Sequence, residues 1–274
     1  MSKVTDSLAN LYLPPGVRTV VIKGLGTAFG VNFSEVVDPI ESFPTWNHFF
    51  GRRIIPRPID TTEGALLAPA DSKVLSVMEI KSDEALVVKG INYSLGNFLS
   101  GKFGRVYDEA DLAKLHRKKH TKLYSVIFYL APRDYHRYHS MAECTVTQIV
   151  HVRGLLFPVK ESYLEKVPGV YEINERVMLK GYWQGGTLVQ SYVGATNVGS
   201  ISINKDPSIL TTGHPDKDSP LIHKKNIEFG LKAGEEVGRF LMGSSVVVIV
   251  EVPENFKWEI QAGQTVRYGQ RIGK

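Results

Sequence analysis

Cysteine is almost absent from this chain: Cys144 is the only one among 274 residues. A single thiol excludes an internal disulfide framework and any multi-cysteine metal site, and nothing requires an oxidising compartment. Long apolar runs are missing as well. None approaches the roughly 20 residues that a helix needs to span a bilayer. The opening Met1-Ser2-Lys3-Val4-Thr5-Asp6 lacks both the apolar core of a signal peptide and the Arg- and Ser-rich character of a transit sequence. The expectation is a soluble or peripheral protein, or one whose targeting segment is not part of this sequence. Charge of one sign is scarce too: 33 Lys and Arg against 28 Asp and Glu leave a net +5. That balance suits an anionic surface without demanding one, and no nucleic-acid partner is expected.

With 43% hydrophobic and 22% charged residues, a chain of this length buries a substantial core in one large domain or two modest ones. The expected division falls at residue 60. Residues 1–60 read as an N-terminal helical segment and carry the membrane-surface character. Leu11, Leu13, Val20, Val21, Ile22, Leu25, Phe29, Val31 and Phe33 are interspersed with Gly and basic groups. Trp46, Phe49 and Phe50 then stand beside Arg52, Arg53 and Arg57, a mixture suited to lipid headgroups. The plain alternative is a helical layer packed on the core, the usual fate of aromatic stripes. In residues 61–274 the runs at 74–78, 86–88, 124–130, 145–152, 188–193 and 246–252 read as strands. Helical signals lie at 94–100 and 109–116, with Ser94 and Asp108 as caps. Residues 205–226, rich in Pro, Gly and charge, read as a long exposed loop. The expected fold is α+β and mostly β: antiparallel sheets forming a barrel- or sandwich-like core with an N-terminal helical, membrane-facing layer.

Three short stretches are candidates for chemistry, and each has a plain reading beside the functional one. Leu241-Met242-Gly243-Ser244-Ser245 precedes Val246-Val247-Val248-Ile249-Val250. A Gly-Ser pair at the mouth of a buried strand is either a turn or a peptide bond that the chain cuts in itself, converting Ser244 into a pyruvoyl electrophile. The stretch from Tyr129 to His139 places His136 and His139 just past a strand that Pro132 ends, close together if the segment turns helically. A surface pair, two core histidines, half a metal site and an acid–base pair all fit that spacing. No third ligand stands at a spacing that zinc or iron favours, so no metal is expected. Ala68-Pro69-Ala70-Asp71 precedes a strand, where Asp71 serves as a turn residue bonding the backbone or as a functional carboxylate.

Taken in order with Lys89-Gly90-Ile91-Asn92-Tyr93-Ser94-Leu95, with residues 193–200 and with residues 232–245, these blocks resemble the phosphatidylserine decarboxylase family from about Leu11 to Lys274. The resemblance implies a proenzyme that cleaves itself between Gly243 and Ser244 into a β chain of residues 1–243 and an α chain of residues 244–274. The Ser244 hydroxyl attacks the preceding carbonyl to give an ester. Elimination releases the upstream chain, and the dehydroalanine left behind hydrolyses to a pyruvoyl group with loss of ammonia. A serine hydroxyl needs a base to do this near neutral pH. By the match, His139 is that base and Asp71 orients it and stabilises its imidazolium. In turnover the pyruvoyl carbonyl condenses with the amine of phosphatidylserine and takes up the electrons left as CO2 departs. His136 returns the proton, and hydrolysis gives phosphatidylethanolamine. The implied cofactor is thus a covalent pyruvoyl group derived from Ser244. The implied partners are phosphatidylserine, an anionic membrane surface, the α and β chains of one precursor, and a second copy in an optional homodimer.

The basic cluster Arg117-Lys118-Lys119-His120-Thr121-Lys122 is either a solvated loop or an attractor of anionic lipid. Residues 252–273, including Gly263-Gln264-Thr265-Val266-Arg267-Tyr268-Gly269-Gln270, resemble mitochondrial members of the family more than other branches. That implies the mitochondrial inner membrane, with other endomembranes or a bacterial inner membrane as alternatives. A carrier domain of the biotinyl or lipoyl type shares some of the turns but calls for a modifiable Lys at a hairpin tip, and none stands out. A serine hydrolase using Ser244, His139 and Asp71 would lack the usual Gly-x-Ser-x-Gly elbow. An inactive relative is the remaining alternative. Intact-mass spectrometry separates these readings. Two chains are expected, the shorter with a blocked terminus that reacts with borohydride or hydroxylamine, whereas one intact chain with esterase activity would favour the hydrolase.

Overall fold

The computed structural model describes residues 11–83, 86–88, 90–101, 108–184, 186–195, 201–209, 211, 222–241 and 244–274. Helix α1 (Pro15–Phe29) opens on a proline, whose missing N–H costs nothing in a first turn. It stops at Gly30, which adopts the left-handed conformation (φ 82°) and donates its N–H to the carbonyls of Gly26 and Thr27. Helix α2 (Trp46–Phe50) is capped by Thr45, whose side chain accepts from the His48 N–H. Trp46, Phe49 and Phe50 join Leu13, Ile22, Val31 and Phe43 in a small core of their own. The Phe49 ring lies 5.3 to 5.8 Å from those of Phe43, Trp46 and Phe33. The aromatics expected at a lipid surface are therefore interior, because the rings bury more area against one another than an exposed stripe would. The outward apolar groups lie instead on α1, at Val17, Val20, Leu25 and Phe29. The three arginines also part company: Arg53 points to solvent and pairs with Asp38, while Arg52 and Arg57 turn inward.

The β region runs β1 (Leu66–Leu67), β2 (Ser72–Glu79), β3 (Leu86–Val88), β4 (Ile91–Tyr93), β5 (Thr121–Leu130), β6 (Arg137–His139) and β7 (Cys144–Val152). It continues with β8 (Arg176–Trp183), β9 (Gly186–Val193), β10 (Ile201–Ile203), β11 (Ile222–Leu231), β12 (Glu236–Phe240), β13 (Ser244–Pro253), β14 (Thr265–Val266) and β15 (Arg271–Gly273). The expected strand runs fall within β2, β3, β5, β7, β9 and β13. Helices α3 (Leu95–Ser100) and α4 (Glu109–Ala113) follow the expected caps, with Ser94 accepting from Asn97 N–H and Asp108 from Asp111 N–H.

The main sheet has the order β11-β7-β8-β9-β13-β5-β2-β14, antiparallel throughout. A second sheet is built from β10, β12 and β6. The expectation of a barrel needs correcting: the large sheet is open, and no closed barrel forms among the described residues. Its ends explain this. β14 is two residues long, and β11 carries exposed His223, Lys224 and Lys225, charges that keep an edge from pairing further. The segment expected as a loop over 205–226 is also corrected at its end, since β11 starts at Ile222; residues 210 and 212–221 lie outside the described set.

β13 is the spine. All of its residues from Ser244 to Val252 are buried, with a ladder to β5 on one side and to β9 on the other. At its far end the Glu251 carboxylate, 2% exposed, accepts from the backbone N–H groups of Arg117, Lys118 and Thr187 and from the Thr121 hydroxyl. The basic cluster is thereby anchored at the Thr121 end of β5. Ser244 faces Leu130 at the opposite end, roughly 30 Å away at the usual strand rise.

Burial alone raises the Glu251 pKa, but hydrogen bonds from Thr121, Thr187, Arg117 and Lys118 outweigh it and hold the group below its ordinary 4.5. A lowered folded pKa stabilises the protein above 4.5 and loses that contribution as pH falls further. Glu251→Gln should therefore cost about 1–3 kcal/mol at pH 7 and flatten the acid limb of the stability curve. Urea unfolding at several pH values checks both, and an unchanged midpoint at pH 7 would remove Glu251 as an anchor.

Candidate active site

Ser244 opens β13, opposite Leu130 on β5. Its side chain is fully buried and its Oγ has no hydrogen-bond partner among the described residues. Ser245, next along, is partnered: its Oγ lies 3.2 Å from the Tyr171 hydroxyl. Gly243, expected to precede the cut, lies outside the described residues, as do Met242, Lys89 and residues 196–200 of the motif blocks.

Leu130 leads directly into the histidine segment. Asp134 closes its first turn, its carboxylate accepting from the Ala131 N–H at 2.7 Å. His136 follows, and β6 then carries His139. The two histidines do not stand on one face of a helix. The chain is extended across β6, so the rings diverge, as an odd spacing in a strand requires. His136 packs on Phe50, centroids 4.3 Å apart, whereas His139 stacks on Tyr268 at 4.1 Å and 13°. β6 pairs with β12, where Gly238 sits opposite Tyr138; a Cβ on that glycine would fall 1.9 Å from the Ser202 carbonyl oxygen. The Phe240 N–H donates to the His136 carbonyl at 2.8 Å. Only residues 241–243 separate that bond from Ser244, so the short connection keeps the serine and His136 in one neighbourhood.

The Ala68-Pro69-Ala70-Asp71 turn is tied to the same place. The Pro69 carbonyl accepts from the His139 N–H at 2.7 Å. Asp71 pairs with Arg57, which also holds Glu35 at 2.7 Å, and it accepts from the Tyr268 N–H at 3.0 Å. Tyr268 thus stands between Asp71 and His139: its backbone binds the carboxylate, its ring faces the imidazole, and its hydroxyl accepts from the Arg57 N–H. The His139 ring is held by other groups, Nδ1 by the Gly234 carbonyl at 2.9 Å and Nε2 by the Tyr135 hydroxyl at 3.2 Å. Ser72 opens β2 with ordinary backbone and donates to the Ala70 carbonyl.

Both rings are neutral at pH 7. Burial lowers the His139 pKa, and burial drives His136 down to about 3. Since carbonyls only accept, the Gly234 and Asp134 oxygens place the proton on Nδ1 in both rings. Each Nε2 therefore presents a lone pair. That of His139 receives the Tyr135 O–H, and that of His136 is buried with no partner among the described residues. Burial also lifts the Asp134 carboxyl to about 6.

The structure gathers Asp71 and His139 around Tyr268 and sets His136 and Ser244 at the two ends of one short connection. Sequence reading did not single out Tyr268, Tyr135, Gly234 or Asp134, and it took Arg52 and Arg57 for surface cations. Tyr268 and Gly234 come from 129 and 95 positions beyond His139, so no local spacing marks them.

A buried serine hydroxyl with no partner among the described residues, two neutral imidazoles and a carboxylate–arginine pair are groups chemically able to move protons and to attack a carbonyl. Comparison with known proteins gives this class its family. The profile described as "Phosphatidylserine decarboxylase" matches residues 46–274. A Caenorhabditis elegans protein named "Phosphatidylserine decarboxylase proenzyme, mitochondrial" is 33% identical over 273 residues, covering 99% of this chain and 70% of that protein. The Plasmodium knowlesi "Phosphatidylserine decarboxylase proenzyme" is 32% identical over 280 residues, 99% of this chain and 77% of its own length. A Rattus norvegicus protein with the same name as the nematode one is 31% identical over 291 residues, 100% of this chain and 71% of its length. The chain belongs to the phosphatidylserine decarboxylase family.

Burying neutral histidines has a thermodynamic consequence. Below 6.5 the unfolded chain binds protons that folded His136 refuses until about pH 3, so stability falls as pH drops through that window. The urea midpoint should decline from pH 6.5 towards 3, and His136→Asn should make the decline shallower. An identical slope in the variant would contradict the burial of a neutral His136.

Proposed function

We infer that this chain is a carboxy-lyase, made as a proenzyme, that converts phosphatidylserine to phosphatidylethanolamine and CO2. The family match over residues 46–274 and the proenzyme names of the relatives support the reaction. The observation that carries the self-processing reading is Ser244: fully buried, without a partner for Oγ among the described residues, and first in a strand held on both sides.

The pyruvoyl group of this reading would be made from Ser244 and held by β13. The site suits it, because replacing an unpartnered hydroxyl by a carbonyl breaks no hydrogen bond among the described residues. When formed, the group supplies an electron-accepting carbonyl. The protein's own residues do the rest. A cut between Gly243 and Ser244 leaves residue 244 in position, since β5 and β9 both belong to the upstream chain and grip β13 along its length. β14 and β15 weave the same short chain against β2 and β1. His139 serves as the base for the serine hydroxyl at Nε2, where the Tyr135 O–H must relay the proton or give way, while Asp71 supports the resulting charge through space from beyond Tyr268. His136, whose Nε2 has no partner among the described residues and which burial keeps neutral in the free protein, passes a proton to carbon once the bound anionic headgroup offsets that burial. The hydrophobic wall of Phe50 excludes water from that ring.

The division at residue 60 separates the helical segment with its small core from the catalytic region of residues 61–274. Among the described residues no helix is long and apolar enough to cross a membrane. The lipid surface is met by the outward face of α1, with Val17, Val20, Leu25 and Phe29. This face adjoins the site, since Gly30, directly after α1, lines the same cleft as Asp71 and Tyr135. The basic cluster of residues 117–122 is at the wrong end of β5 for this role. The mitochondrial names of the nematode and rat relatives favour a mitochondrial membrane.

Release of CO2 from carboxyl-labelled phosphatidylserine in vesicles, read together with intact mass, tests the assignment. Ser244→Ala and His139→Ala should each remain a single inactive chain. His136→Ala should give two chains but lose at least about a hundredfold in turnover. Normal processing of His139→Ala, or full activity of His136→Ala, would overturn the respective role.

A further inference from the structure

Arg52 is the most unusual side chain near the site. It is 3% exposed, yet only Nη2 is occupied, donating to the carbonyls of Arg133 at 2.9 Å and Asp134 at 3.1 Å. Nε and Nη1 are buried with no partner among the described residues. Arginines are rarely buried unless their charge is met, because stripping water from a guanidinium without replacing its acceptors is costly. Buried Arg176 shows the ordinary solution: its Nε, Nη1 and Nη2 all donate to backbone carbonyls. Arg52 lacks that completion.

The guanidinium lines a cleft of about 230 Å³ together with Asn32, Arg57, Asp71, Asp134 and Tyr135. The other charges there are largely spoken for. Arg57 is neutralised by Glu35 and Asp71. The Asp134 carboxylate takes the Ala131 N–H and lies 3.7 Å from exposed Arg133. Arg52 makes no direct ion pair among the described residues; Asp71, Asp134 and Glu35 act on it only through space and the Phe49 ring lies 5.1 Å from its Cζ, so the cleft holds a buried cation with two unfilled donors. It is also next to the proposed chemistry. The Asp134 carbonyl that accepts from Arg52 Nη2 accepts from His136 Nδ1 at 2.8 Å as well.

We propose that Arg52 receives the phosphodiester of the lipid headgroup and holds it beside His136. The inference rests on the reading that phosphatidylserine is the substrate, and it adds a substrate-positioning residue to it. The headgroup offers two anions, a phosphodiester and a carboxylate. An arginine on the carboxylate would stabilise the charge that must disappear during decarboxylation and so oppose the reaction. The phosphodiester keeps its charge throughout, pairs strongly with guanidinium, and is only four bonds from the reacting amine. Binding it holds ground state and transition state alike. The effect should therefore appear in KM more than in kcat.

The test uses processed enzyme, with Arg52→Gln and Arg52→Lys compared against the native protein in mixed micelles of phosphatidylserine. Glycerophosphoethanolamine is one competitor, carrying a phosphodiester and no carboxylate. O-Methylserine is the other, carrying a carboxylate and no phosphodiester. Arg52→Gln should raise KM at least about tenfold with a much smaller change in kcat, and weaken glycerophosphoethanolamine inhibition by a similar factor. Arg52→Lys should fall between, and inhibition by O-methylserine should not change. Intact mass normalises every rate to the processed fraction, and if Arg52→Gln does not process, Arg52→Lys carries the comparison. An unchanged KM overturns the proposal. So does a fall in kcat alone, which would make Arg52 a prop for the Asp134 carbonyl. Loss of O-methylserine inhibition with glycerophosphoethanolamine inhibition intact would assign the cation to the carboxylate instead. A native enzyme that releases no CO2 would sink the substrate reading itself, a result distinct from all of these.

Discussion

The double ladder on β13 is the constraint on which the rest of the molecule depends. Ten residues from Ser244 to Pro253 pair with β5, and those from Ser245 to Val250 pair with β9 as well. A strand buried on both faces is apolar wherever no polar partner meets it, which is why Val246 to Val250 read as one continuous run while Ser245 and Glu251 are hydrogen-bonded. The ladder with β5 puts Ser244 opposite Leu130, the point where the chain leaves the sheet and turns into the histidine segment. Backbone hydrogen bonds therefore locate the serine, and they do so without using its side chain. A peptide bond broken just before Ser244 leaves that location intact, because the partners on either side are upstream in the chain.

Around this fixed point, charge is arranged so that little of it is left to the candidate groups. His136 and His139 are kept neutral by burial, and their tautomers are set by backbone carbonyls rather than by acids. Asp71 is engaged by Arg57 and by the Tyr268 backbone. Tyr268 links the carboxylate to the imidazole through one rigid ring, a geometry that resists rearrangement when a proton moves. Arg52 is the exception to this neutrality: a buried guanidinium on the cleft wall with Nε and Nη1 unpartnered among the described residues.

The position of the cleft also orders the surface. Gly30 at the end of α1 borders it, so the apolar outer face of that helix and the opening to Arg52 are neighbours. The basic cluster, tied down by Glu251, lies at the other end of the sheet. The outer face of α1 thus borders the cleft, whereas residues 117–122 lie about a strand length away.

Much of the fold was legible in the sequence where local chemistry is decisive. Apolar runs marked β5 and β13, an apolar-rich stretch marked β9, and Ser94 and Asp108 announced the starts of α3 and α4, because a cap acts within one turn of its own residue. The order of the motif blocks was enough to propose Asp71, His136, His139 and Ser244 as candidates together. The first half of β11 escaped notice because an edge strand facing water is written in charged and polar residues, and only Ile227, Phe229 and Leu231 at its end alternate. The divergence of the two histidines, the insertion of Tyr268, and the inward turn of Arg52 and Arg57 were decided only in three dimensions. Whether a side chain is a surface cation or a buried ligand group depends on what distant strands bring against it. The sequence determined which residues are chemically able to act; the tertiary structure decided which of them are buried, paired and aimed, because desolvation and partnership arise only when segments far apart in the chain are packed together.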